Sequence, residues 1–242
     1  MSAVDPHAGM SFEVVVLAAG LGTRLGRPHP KPLTMLGSGR SIIRHQVDSL
    51  REHFGPDLRI TVVVGFKMDL LIEANPDVSF AYNEIYDSTN TSKSLLKALA
   101  LTGPSAVLWL NGDVVFDPRL LDPVDEARRL GHSFVCVNTQ AVGEEEVKYA
   151  LGADGAISAL SKTVRDALGE AVGINYVAAT DKAALRARLR ECDDADYFER
   201  GIEIAVEEDG TRFVPVDISA FPCVEVDFQE DLDRANSFAV GP

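Results

Sequence analysis

Cysteine, tryptophan and positive charge are all scarce in this chain, and it has no long apolar run. The three cysteines, Cys136, Cys192 and Cys223, lie far apart, with no C-x-x-C and no partnering histidines. That excludes a disulfide framework and a zinc site, and fits incidental thiols in a reducing cytoplasm. No apolar stretch of the sequence approaches the roughly 18 residues that span a bilayer. Acids outnumber Lys and Arg by 37 to 23, a net charge of −14. Nucleic acid and anionic membranes are therefore not expected partners, since both need a basic face. Nine acids and one arginine fall within residues 191–209, the pattern of a solvated helix face. The opening MSAVDPHAGM lacks the charged start and apolar core of a signal peptide. Residues 1–10 are expected to be a disordered extension, with Met10 as an alternative start, ahead of one domain over residues 11–242.

Against that acidity, residues 14–47 contain no Asp or Glu at all, and five basic residues: Arg24, Arg27, Lys31, Arg40 and Arg44. A local reversal of charge points to a polyanionic small ligand. The segment begins with the apolar run Val14, Val15, Val16, Leu17, Ala18, the pattern of a buried strand in a parallel sheet. It continues as A-G-L-G-T-R, where Gly20 and Gly22 leave room for backbone N–H groups to approach phosphate. Arg24 adds a fork for phosphate oxygens and Lys31 a compact cation. Two common phosphate loops are absent: there is no G-x-x-x-x-G-K-[ST], and Leu25 stands where G-x-G-x-x-G needs its third glycine.

The coarse pattern downstream is alternating strand and helix. Strands are predicted at 59–64, 78–82 and 106–110, and helices at about 41–53, 67–74 and 90–101, which implies a parallel sheet. A helix follows over about 117–131 and a strand over 133–138. Segments 147–151 and 156–160 flank Gly152-Ala153-Asp154-Gly155 and read as a hairpin. Further strands are predicted at 171–178, 211–217 and 224–226, and helices at 181–191, 195–207 and 228–238. The expected fold is a single α/β domain. Its central sheet is mainly parallel, Rossmann-like and flanked by helices, with a hairpin or mixed-sheet subregion on the acceptor side.

Two acidic motifs fall where strands end. Asp113 follows the strand 106–110 through Asn111-Gly112 and would arrive at the same sheet edge as the glycine loop. It could hold a metal ion against phosphate, or simply cap a turn. Glu225-Val226-Asp227 places two carboxylates on one face of an extended segment. Asp227 could also be the N-cap of the last helix.

The string L-A-A-G-x-G-T-R-L followed by P-K-P, with Asn111-Gly112-Asp113 and Glu225-Val226-Asp227, resembles the nucleotidyltransferases that move a nucleoside monophosphate from an NTP to a phosphorylated acceptor. The likeness covers nearly the whole chain and is strongest to phosphocholine cytidylyltransferase-like and sugar-1-phosphate nucleotidyltransferases. It implies that Leu17, Ala18, Ala19, Gly20, Leu21, Gly22, Thr23, Arg24 and Lys31 hold the nucleotide. Lys31, Arg24 and Asp113 are then the catalytic set, and Asp113, Asp227 and Glu225 the Mg²⁺ ligands. A looser likeness in the polar stretch around 83–92 adds Asn83, Asn90 and Ser92 to the nucleotide pocket, with helix capping as the competing explanation.

The expected reaction is transfer of CMP from CTP to a small phosphorylated alcohol or phosphonate in the cytoplasm, with a homodimer left open as the assembly. Alternatives are a sugar-1-phosphate uridylyl- or thymidylyltransferase, transfer onto a molybdenum cofactor precursor, a glycosyltransferase, and a nucleotide-binding regulatory module without turnover. For the acceptor, a quaternary ammonium would want aromatic faces such as Tyr149, Tyr176 or Tyr197. A primary ammonium could use Glu170 or Glu199, and Trp109 reads as core.

Overall fold

The computed structural model describes residues 11–22, 24–140, 142–143 and 146–239. The expected 1–10 extension and Thr23 lie outside them. The apolar run at the start of the chain is β1 (Phe12–Ala18), in which Val14, Val15 and Val16 are fully buried, one face as much as the other. Burial on both faces needs helices on both sides of the sheet, and the chain supplies them in alternation. Next come α1 (Ile42–Phe54), β2 (Ile60–Val64), α2 (Met68–Ala74), β3 (Ser79–Tyr82), α3 (Thr91–Leu101), β4 (Ala106–Asn111), β5 (Val114–Phe116) and α4 (Leu121–Arg129). The second half contains β6 (Ser133–Asn138), β7 (Lys148–Leu151), β8 (Ile157–Ser161), β9 (Gly169–Val177), α5 (Lys182–Glu191), α6 (Phe198–Asp209), β10 (Phe213–Asp217), β11 (Cys223–Glu225) and α7 (Gln229–Phe238).

A nine-stranded sheet has the path β10-β6-β9-β4-β1-β2-β3, with the β7–β8 hairpin attached through β9. The half β3-β2-β1-β4 is parallel, as expected. β9 runs antiparallel between β4 and β6, and β10 is parallel to β6. On one face Val14, Val16, Leu108 and Phe134 pack against α1 and α4 through Ile43, Val47 and Val124. On the other, Val15, Leu17, Val107 and Trp109 meet Leu95, Leu99, Leu185 and Ile202 from α3, α5 and α6. Trp109 meets Phe198 edge-on with ring centroids 5.6 Å apart, the core role expected of it. Burying one such large apolar side chain stabilises the fold by roughly 1.5–3 kcal/mol.

Three features differ from the sequence-based expectation. Residues 117–131 split into a 3-10 turn, Pro118–Leu120, and α4. Val114–Phe116 forms a strand where none was expected, and it pairs antiparallel with β11 as a separate two-stranded ribbon. Tyr149 and Tyr176 are each only 3% exposed, and Tyr176 stacks on Phe134, so neither can offer a face to a ligand. Among the described residues no helix is long and apolar enough to cross a membrane.

Candidate active site

The register of the two central strands assembles the site. Leu17 of β1 pairs with Asn111 of β4, so the glycine loop and the Asn111-Gly112-Asp113 turn leave the sheet side by side. The Gly112 N–H donates to the Leu17 carbonyl at 2.9 Å. A Cβ on Gly112 would stand 2.7 Å from that same oxygen, so only glycine permits the approach. From α1, the buried Gln46 donates through Nε2 to the carbonyls of Asn111, at 2.8 Å, and Val114, at 2.7 Å. The turn that presents Asp113 is therefore tied down from both sides.

The β5–β11 ribbon brings the second acidic motif to the same place. Glu225 is opposite Val114, and the Val226 N–H donates to the Asp113 carbonyl at 3.0 Å. Asp227 then faces Asp113 across Lys31, whose Nζ donates to Asp113 Oδ2 at 2.7 Å and to Asp227 Oδ1 at 2.5 Å. Lys31 lies in the short 3-10 turn Lys31–Leu33 between Pro30 and Pro32 and is 8% exposed. Gly22, at φ +59°, packs on it so closely that a Cβ would fall 2.9 Å from Lys31 Cβ. Burial works against the lysine's charge, but Asp113 and Asp227 outweigh it and hold the pKa above the ordinary value. Burial likewise opposes ionisation of Asp227, yet Lys31 and Arg24 keep its pKa below the usual carboxylate range. Arg24 Nη1 donates to Asp227 Oδ2 at 2.7 Å.

Asp227 is not the helix cap. Asp231, one turn into α7, accepts from the backbone N–H groups of Asp227 at 3.0 Å and Phe228 at 2.7 Å. The Asp227 carboxylate is thereby left to the cations. Glu225 accepts from Asn111 Nδ2 at 3.5 Å, and burial, with Asp113 and Glu146 nearby, pushes its pKa well above the carboxylate range. Asp113 Oδ1 is buried with no hydrogen-bond partner among the described residues.

These groups line one cleft of about 470 Å³. The loop residues Leu17, Ala18, Gly20, Leu21, Gly22, Arg24 and Lys31 are in its wall, with Asp113, Glu225 and Asp227. Asn90 is there too, and it also caps α3 by accepting from the Thr91 N–H at 2.8 Å. Ala19, Asn83 and Ser92 are outside the lining. Asn83 is wholly buried and donates to Thr89 Oγ1 and Ser94 Oγ, both at 3.1 Å, so it braces the turn after β3. Ser92 is wholly buried within α3.

The cleft also takes in residues that the motifs did not single out, Glu146, Lys162 and Gly173, together with Asn111, Tyr197 and Glu199. Burial, with Glu170 and Asp227, raises the Glu146 pKa. An adjoining hollow of about 510 Å³ shares Arg24, Glu146, Glu225 and Asp227 with the cleft and adds Glu170. Lys162, just past β8 at the end of the hairpin, carries no local signature; only the tertiary fold brings it in.

A family model for the MobA-like NTP transferase domain matches residues 14–198. The chain belongs to that family. The glycine loop and Asp113 lie inside the matched span. Bifunctional protein GlmU of Pseudomonas aeruginosa is 36% identical over 107 residues, 43% of this chain and 22% of that protein. The CMP-5'-(3-aminopropyl)phosphonate synthase of Streptomyces rubellomurinus is 36% identical over 118 residues, 45% of this chain and 18% of that one. The chain thus spans about a fifth of the length of these curated relatives. Among solved structures, the inositol-1-phosphate CTP transferase from T. maritima superposes with a TM-score of 0.76 at 17% identity, covering 95% of this chain and 96% of that one. At that identity the likeness establishes the fold, which is the mainly parallel α/β sheet described above.

Proposed function

We propose that this nucleotidyltransferase moves CMP from CTP to a small phosphorylated alcohol or phosphonate and releases pyrophosphate. The observation that carries the reading is the seat of Lys31 between Asp113 and Asp227, at the lip of a glycine loop. An acceptor phosphate or phosphonate oxygen attacks the α-phosphorus in line, its bond to that phosphorus forming as the bridge to the β-phosphate breaks. The acceptor is already an anion, so no general base is needed. Catalysis then consists of positioning two mutually repelling anions and neutralising the charge that develops. Lys31 would bridge the α-phosphate and the incoming oxygen, while Arg24 and the backbone N–H groups of residues 20–23 hold the leaving pyrophosphate.

The residues present also fit a magnesium ion. Asp113 and Asp227 offer hard oxygen donors around a position that a cation already favours, and Asp113 Oδ1 is unpartnered. Mg²⁺ typically binds through one or two carboxylates plus substrate phosphates, which matches this donor set. Among the described residues no group of three or more His, Cys, Asp or Glu is placed to hold a metal, so the triphosphate would complete the shell. Bound there, with Glu225 as a further neighbour, the ion would supply charge neutralisation at the phosphates.

Cytidylyl transfer is supported by the two relatives whose names specify CMP or CTP. The test is pyrophosphate release from each of four NTPs against a panel of acceptors. CTP with a phosphorylated alcohol or phosphonate should give the highest kcat/KM. A clear preference for UTP or dTTP with a sugar 1-phosphate would replace this reading with the alternative one.

A further inference from the structure

Glu199 differs from Asp113, whose Oδ1 is likewise unpartnered but whose Oδ2 accepts from Lys31. Glu199 lies in the first turn of α6, in the wall opposite the glycine loop, and is 7% exposed. Its Oε2 has no hydrogen-bond partner among the described residues. Leaving a carboxylate oxygen buried and unpaired opposes folding, so such a group calls for a ligand that supplies a donor. Glu225 is different, because Asn111 donates to it, and Glu170 accepts from the Gly143 N–H at 2.9 Å.

The aromatic surroundings narrow the class of donor. A quaternary ammonium has no N–H and relies on several aromatic faces. Tyr149 and Tyr176 are buried in the core, and Phe198 is 1% exposed. That leaves Tyr197 and the half-buried Tyr86 as the tyrosines of the cleft, and the chain's own Lys162 ammonium already lies 5.4 Å from the Tyr197 ring centroid. Lys162 lines the same cleft, so a cation as well as this acid stands in its wall.

We infer that the acceptor is a zwitterion with a primary ammonium group, and that this ammonium docks on Glu199. The inference rests on the transfer reading above and narrows its acceptor. Burial raises the Glu199 pKa to about 7, so near neutral pH an arriving ammonium readily shifts it to the carboxylate. An N–H donor of either a free aminoalkyl phosphate or an aminoalkyl phosphonate satisfies the same oxygen.

The experiment compares 2-aminoethyl phosphate, 2-hydroxyethyl phosphate and phosphocholine as acceptors with saturating CTP, for the wild type and for Glu199→Gln. In the wild type the amine should exceed the hydroxyl analogue in kcat/KM by about 10²-fold, the range of a desolvated charge-assisted contact. In Glu199→Gln that ratio should collapse towards one, mainly through KM of the amine. Equal use of amine and hydroxyl by the wild type, or a ratio unchanged in Glu199→Gln, overturns the assignment while leaving cytidylyl transfer standing. So does a preference for phosphocholine. If Glu199→Gln does not fold, the wild-type ratio alone decides. Activity confined to sugar 1-phosphates overturns both the assignment and the transfer reading.

Discussion

The two ends of the cleft handle charge in opposite ways. At the glycine-loop end, Lys31 is shared by Asp113 and Asp227, and Arg24 bonds Asp227 as well. At the far end Glu199 is buried with Oε2 unpaired among the described residues, and the Lys162 ammonium lies over Tyr197. The first arrangement keeps buried charges neutralised before any ligand arrives, so that triphosphate can be exchanged for carboxylate with little net change in solvation. The second leaves a charge-seeking group unmatched until a ligand matches it. One end is therefore expected to control rate, and the other to control which acceptor is used.

Removing the shared cation should break the first end most severely. Lys31→Ala is expected to lower pyrophosphate release by about 10²–10³-fold, the loss typical of one preorganised charge at a reacting phosphate or oxyanion. The β-sheet should persist, because Lys31 packs on a loop glycine and not in either main core cluster. Turnover within a few-fold of normal in a folded Lys31→Ala protein would remove Lys31 from the catalytic set.

A somewhat smaller effect should follow from the carboxylates, and it sharpens the comparison by asking whether they act together. Asp113→Asn and Asp227→Asn each keep shape and lose charge. Each should raise the Mg²⁺ concentration needed for half-maximal turnover and cut the maximal rate by about tenfold or more. The double variant should be little worse than the worse single one, as for residues acting as a unit. Additive, modest effects in a Mg²⁺ titration would end the shared-ion reading. A silent Asp227→Asn would do the same, now that Asp231 is seen to serve the helix end instead.

Much of this was legible in the sequence because continuous apolar runs and glycine turns carry their meaning locally. β1 and β4 were readable from such runs, and with them the loop and Asp113. β11 is anticipated by the strand predicted at 224–226, but its partner β5 is not, since a three-residue strand has no period to detect, and their pairing is what carries Asp227 to Asp113. Polar residues misled where the sequence could not say which side faced the ligand. Asn83 reads as a pocket residue but faces inward to Thr89 and Ser94. Tyr149 and Tyr176 read as cage candidates, and strand register turns both into the core. Glu199 is named from the sequence, with Glu170, as a possible seat for a primary ammonium, but only the fold separates it from its solvated neighbours.

The smallest expected effect tests the second end without any ligand, through stability. Glu199 has a folded-state pKa of about 7, raised by burial from an ordinary 4.5. The folded protein therefore binds this proton more tightly than the unfolded chain does. Its penalty on stability is absent below about pH 4.5 and fully developed above about pH 7. At roughly 1.4 kcal/mol per unit, the upper bound on that penalty is about 3.5 kcal/mol. Lys162 favours the ionised form and Glu203, on the same helix, opposes it, and both remain in the variant. Glu199→Gln removes the titrating group and keeps its volume, so it should raise Tm at pH 8 by a few degrees relative to wild type, and by much less at pH 5. A loss of Tm at pH 8 would mean that Glu199 is already satisfied in the free protein, and the two ends of the cleft would then not differ in the way described. A gain in Tm at pH 8 combined with a loss of amine selectivity would be the pattern of a residue that opposes folding and serves acceptor binding.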